Sequence, residues 1–147
     1  MPATFDDFGL RFLYPDNWEV QTRDSDETSD GVTWELPRGG FFSVIKYRNA
    51  PPLDTVVDKI VVAMRAEYPE VEIEDLSTVD DEDSETLEFR FYYLDLLIVA
   101  RVIALSVDEQ TLVVQIQAES REFDAGEPVF SAMLKSIRDG LESGENR

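Results

Sequence analysis

Ten consecutive residues, Leu96 to Leu105 (LLIVARVIAL), are apolar except for Arg101. The run is too short for a membrane-spanning helix, which needs roughly 18 apolar residues or more. It is rich in β-branched side chains, so it reads as a strand. A strand facing water on one side alternates apolar and polar residues, and this one does not. It must therefore be covered on both faces. That requirement shapes the rest of the reading: the sheet needs two covers, and the chain must supply them.

Two segments have the right pattern. From Asp54 to Tyr68, Val56, Val57, Ile60, Val61, Met64 and Tyr68 recur at helical spacing. Asp54 is placed to cap this helix and Pro69 to end it. From Pro128 to Leu141, Phe130, Met133, Leu134, Ile137 and Leu141 form a second stripe, with Pro128 suited to a first turn. The remaining patterned segments read as strands: Phe8 to Tyr14, Glu19 to Arg23, Val32 to Leu36, Phe41 to Tyr47, Val71 to Thr78, Thr86 to Leu94, Leu96 to Val107 and Thr111 to Glu119. Short turns join most of them. PDN at 15–17 breaks the first strand and returns the chain to the core at Trp18, and PRGG at 37–40 closes a hairpin. The expected fold is α+β: one domain over residues 1–147, with a mostly antiparallel sheet sandwiched between helices.

Composition narrows the chemistry. The chain has 32 Asp and Glu against 13 Lys and Arg, a net charge of -19, with no His and no Cys. No basic footprint exists for nucleic acid, and an anionic membrane surface would repel the chain. Without His or Cys there is no triad, no thiolate nucleophile and no ordinary zinc site. No nucleotide fingerprint occurs either. The expectation is no catalytic residue, no cofactor and no membrane span, with a protein partner for which basic character would suit the charge; oligomeric state is left open. The opening MPATFDDFGL has neither a basic nor an apolar leader region, which makes the cytoplasm the expected location.

Four stretches together carry a resemblance: FGLRFLYPDNWEVQ at the start, FFSVIKYR before the first helix, the meander LEFRFYYLDLLIVARVIALSVDEQTLVVQIQ, and FSAMLKSIR in the last helix. The chain resembles the PsbP/Mog1/DcrB-like superfamily of small α/β/α sandwiches over nearly its whole length. The resemblance is one of element pattern rather than of a chemical motif. It implies a non-catalytic binding or adaptor domain. Such relatives bind photosystem II, a small nuclear GTPase, or secreted type VI effectors as chaperones. A carboxylate-dependent enzyme, or a divalent-cation-binding protein, is the alternative from the residues themselves.

Two residue sets are candidate sites. If a turn is centred on Leu94 and Asp95, Glu88 faces Arg101, and Arg90 and Tyr92 share their side of the sheet. A three- or five-residue loop around Asp108 to Gln110 would then place Gln115, Gln117 and Glu119 beside Arg101. This polar patch reads either as a recognition surface or as a ladder of cross-strand pairs. Separately, Asp24, Asp26, Thr28, Asp30 and Glu35 fall at positions one, three, five, seven and twelve of a calcium-loop spacing. Ser29 stands where the sharp turn wants Gly, and strands rather than helices flank it. No metal is expected there.

Overall fold

The computed structural model describes residues 2–78, 83–107 and 109–144. Asp80, Asp81 and Glu82 of the acidic turn, and the side chain of Leu141, lie outside the described residues. Among the described residues the strands are β1 (Pro2–Asp7), β2 (Leu10–Pro15), β3 (Glu19–Ser25), β4 (Ser29–Glu35), β5 (Phe41–Tyr47), β6 (Glu72–Asp75), β7 (Ser84–Tyr93), β8 (Leu96–Val107) and β9 (Gln110–Glu119). The helices are α1 (Leu53–Glu67), between β5 and β6, and α2 (Ser120–Gly144) after β9. Seven strands form the main sheet in the order β3-β4-β5-β9-β8-β7-β6, and β1 and β2 form a separate hairpin. Every pairing is antiparallel.

The central strand β8 has two covered faces. Ala100, Val102 and Ala104 join Leu87, Phe89, Phe91 and Val113 in a cluster closed by Val56 and Val57 of α1. Val99, Ile103 and Leu105 join Trp34, Phe42, Val44, Leu112, Val114 and Ile116 in a larger cluster. The second cluster is closed by Phe123, Phe130, Met133 and Ile137 of α2 and by Phe5, Leu10 and Phe12 of the β1–β2 hairpin. From Val99 to Leu105 the run has the double burial that its composition demanded, whereas Leu96 at its start is exposed and Leu97 and Ile98 are only partly buried.

Three local expectations are corrected. The first strand begins at Leu10, not Phe8: Phe8 and Gly9 both have positive φ, 39° and 77°, and form the tight turn of a hairpin whose first arm is β1. In β1 only Phe5 is buried, so its pattern carried little signal. Helix α1 has Pro52 at its N-cap with no side-chain cap, and Asp54 sits inside the first turn, accepting from Thr55 N at 2.8 Å. Helix α2 starts at Ser120, so Pro128 lies within it rather than at its start. The stronger signal was Phe123, which packs 5.3 Å from Phe130 and is fully buried. The PDN turn closes as read, with Trp18 N donating to Pro15 O at 3.1 Å and the Trp18 ring packed against Phe42 and Phe130.

Candidate functional site

The β7–β8 hairpin turns on Leu94 and Asp95, with φ of 51° and 65°. Its register opposes Glu88 to Arg101, Arg90 to Val99 and Tyr92 to Leu97. Glu88, Arg90 and Arg101 therefore share the face that α2 covers. The β8–β9 connection has two residues, with Val107 opposite Gln110, rather than three or five. That difference reverses the parity of β9. Ile116 stands opposite Arg101, while Gln115 and Gln117 stand opposite Val102 and Ala100 on the α1 side of the sheet. The structure thus places Gln115, Gln117 and Glu119 on the opposite face from Arg101, and the seven-residue patch divides in two.

The half that remains is an ion-pair network beneath α2. Glu88 is buried, and its Oε1 accepts from Arg101 Nη2 at 2.8 Å. Its Oε2 accepts from Arg90 Nη2. Arg101 also reaches Glu127 of α2, at 2.8 Å to Oε1, and its guanidinium lies 4.9 Å from the Phe123 ring centre. Arg90 completes the chain with Glu74 of β6 at 3.3 Å. Burial of Arg101 works to lower its pKa, but the hydrogen bonds and charges of Glu127 and Glu88 outweigh it and hold the guanidinium more firmly protonated. The arrangement ties β6, β7, β8 and α2 together. Glu74 and Glu127 were not legible in the sequence, since neither sits on the β7–β8 meander.

The other half serves separate ends. Glu119 precedes α2 and accepts the backbone N–H of Arg121, which with the Arg121 side chain holds its carboxyl below the usual carboxylate range. Gln115 continues a row of small polar residues across the sheet, Thr22, Thr33 and Ser43, in which Thr33 Oγ1 bonds Ser43 Oγ at 3.3 Å.

The five residues with calcium-like spacing do not converge. Asp26 is consumed by its own turn, its Oδ1 accepting from Thr28 N at 2.7 Å, Ser29 N at 2.9 Å and Thr28 Oγ1 at 2.9 Å. The backbone bonds from Thr28 and Ser29 hold its carboxyl below the usual range. Asp30 is buried, paired with Arg48 and bonded by Ser25 Oγ at 2.7 Å. Glu35 lies five residues further along β4, about 17 Å away at strand rise. Asp24 faces Gly31 across the hairpin and holds no ion pair among the described residues. A strand pairing has replaced the loop that a calcium site would need.

What the sequence reading missed is the tip of the β7–β8 hairpin. Tyr92, Tyr93, Leu94 and Leu96 are 71%, 54%, 79% and 46% exposed, the densest group of exposed large apolar side chains among the described residues. The alternation that patterned β7 and β8 simply continues past the edge of both covering layers. Tyr92 alone links this tip to the expected patch. Below it, Tyr68 at the end of α1 stacks on Phe91 at 3.9 Å, which seats the hairpin base. A different concavity, about 580 Å³, lies between β2 and α2 and is lined by Leu13, Tyr14, Val129, Met133 and Ser136.

No family model matches the chain, and no curated protein matches it in sequence. Among solved structures it is similar to the cyanobacterial PsbP protein CyanoP from Synechocystis sp. PCC 6803. That match has a TM-score of 0.61 at 18% identity and covers 92% of this chain and 90% of that one. It is also similar to PA94 from Pseudomonas aeruginosa, a protein of unknown function, with a TM-score of 0.52 at 13% identity, covering 92% and 95%. No helix among the described residues is long and apolar enough to cross a membrane. Two helical layers, a mostly antiparallel sheet and this similarity agree: the chain has the PsbP-like fold.

Proposed function

We propose that the chain is a non-catalytic protein-binding domain that engages its partner through the β7–β8 tip. The observation that carries this reading is the concentration of Tyr92, Tyr93, Leu94 and Leu96 in solvent at one end of an otherwise acidic surface. Keeping four large apolar side chains largely in water forgoes part of the roughly 1.5–3 kcal/mol that fully burying one such side chain supplies, and exposed clusters of this kind mark interaction sites. Tyr residues are frequent binding anchors because they combine apolar area with a polar end. The buried acids Glu88 and Asp30 are already held by guanidinium groups, Glu88 by two and Asp30 by Arg48, which supports a structural rather than a proton-transferring role for them.

The test is site-specific photo-crosslinking in the cells that make the protein. A photoreactive residue at Leu94 should give a discrete cross-linked species, absent when the same residue replaces Val62 on the exposed side of α1. Cross-linking no different between the two positions would refute the tip as the binding element.

A further inference from the structure

Resting on the tip as the binding element, we propose that the partner surface is an apolar socket ringed by lysine or arginine on another protein. The apolar part of the match is given by the four side chains above. The ring is given by charge. Asp95 sits at the turn itself, Glu67 closes α1 next to Tyr68, and Glu70 and Glu72 lead into β6 alongside β7. None of these four carboxylates holds an ion pair among the described residues. Arg90 is engaged by Glu88 and Glu74 and Arg121 by Glu119, which leaves Arg65 in the last turn of α1 against four carboxylates. The tip therefore presents a collar of net negative charge around an apolar knob.

Three occupants meet that collar differently. An anionic bilayer is repelled by it, and a second copy of the chain brings the same sign of charge, at -19 each. A cationic rim is attracted, and the field of the whole chain draws such a partner in. The backbone agrees with a presented element. Leu94 and Asp95 both hold left-handed conformations; Asp tolerates this, but for Leu94 it costs roughly 1–2 kcal/mol, and the Leu94 side chain so displayed is the most exposed of the group.

The experiment uses the full chain and a labelled synthetic helix with leucine on one face and lysine on the other, titrated by fluorescence anisotropy at low and high salt. Binding is expected at low salt and is expected to weaken about tenfold or more at 0.5 M salt, where the screening length falls to roughly 4 Å. Replacing Tyr93→Ser and Leu94→Ser together should weaken binding about tenfold. Replacing Asp95→Asn, Glu67→Gln, Glu70→Gln and Glu72→Gln together should weaken it similarly and flatten the salt dependence. Val62→Ser should change it less than about twofold, and circular dichroism should show every variant folded. No binding of the lysine peptide overturns the proposal, as does equal binding by the tip and Val62 variants. Tighter binding to a glutamate version of the peptide, partition into neutral phosphatidylcholine vesicles, or tip-dependent dimerisation in sedimentation would overturn it too. If tip cross-linking succeeds while the lysine peptide fails, the binding reading stands and the cationic socket falls.

Discussion

Replacing Arg101 with Met separates a structural network from a recognition surface. The Arg101 side chain is 19% exposed and that of Glu88 only 6%, and Arg101 bonds both Glu88 and Glu127. Breaking a buried pair from one side costs about 3–5 kcal/mol, because the remaining charge loses its partner. Arg90 continues to hold Glu88 from the more exposed side, so the low end applies, about 3 kcal/mol. For a domain of this length that lowers Tm by roughly 6–12 °C. The same reasoning fixes the second half of the cycle. In Glu88→Leu with Arg101→Met both charges are gone and the volume is nearly kept, so stability should return to within about 1 kcal/mol of the parent. Glu127, more than a third exposed, can turn to water. Urea denaturation of the parent, the two single variants and the double variant measures all four corners, with an unchanged m-value as the check that the same transition is compared. A double variant as unstable as Arg101→Met alone would refute the account, because the cost would then come from something other than the orphaned carboxylate. So would an Arg101→Met variant of full stability.

Three further outcomes follow from single positions. Gly40 has φ of 92°, and a Cβ there would lie 2.2 Å from the backbone oxygen of Gln117, so Gly40→Ala should cost at least roughly 2 kcal/mol in urea melts by spoiling the β5–β9 pairing. Glu85 has its carboxyl pushed above the ordinary range by desolvation, then by Asp54, Asp75 and Asp58. A raised folded-state value means the native protein prefers the neutral acid, so the ionised form weakens the fold as pH rises through that value. Glu85→Gln should therefore stabilise at pH 7, with the gain vanishing below the unfolded-state value in a pH series of melts. Leu94→Gly should stabilise the fold by roughly 0.5–1 kcal/mol, since Gly tolerates the left-handed turn, while weakening partner binding.

The sequence made the β7–β8 register readable and the β9 register unreadable for one physical reason. On β7 and β8, Glu88, Arg90 and Arg101 are charged, and a slip by one residue would drive a guanidinium among Phe89, Phe91 and Leu87. On β9, Leu112, Val114 and Ile116 alternate with Val113, Gln115 and Gln117. Both sides of this strand carry groups that their layer accepts: Val113 packs under α1 while Gln115 and Gln117 remain half-buried beyond it. Hydrophobic pattern then no longer decides which face is which, and the parity rests on whether the β8–β9 loop has two residues or three. Glu109, with φ of 61°, occupies a left-handed turn position that sequence marks only weakly for glutamate. The start of α2 was hidden by the opposite problem, a strong misleading signal. Pro128 looks like a first-turn residue, yet Glu119 supplies the cap nine residues before the expected start, and Phe123 and Phe130 lie on the buried face on either side of the proline.

The tip is hidden in the sequence because Leu96 opens the apolar run that reads as covered on both faces, while Tyr92 reads as part of a polar patch and Leu94 only as a turn residue. From Tyr92 to Leu97 the sequence is YYLDLL, and only the layer geometry shows where cover ends. Helix α1 ends at Glu67, with Tyr68 just reaching Phe91, so β7 and β8 extend beyond it. On the other face α2 begins at Ser120, just after Glu119 opposite Ile98, and reaches Arg101 through Glu127, leaving the turn itself uncovered. A hairpin serving the sandwich alone would place Asn-Gly at such a turn and polar residues on its flanks. This one places Leu94 at a φ that disfavours it, next to an Asp95 that tolerates the same conformation, and keeps tyrosine and leucine in water beside them. Local propensity, turn chemistry and burial all disagree with the fold at these few residues and agree with it through β7 and β8 below them. Such confined disagreement is expected where a surface serves another molecule rather than its own core.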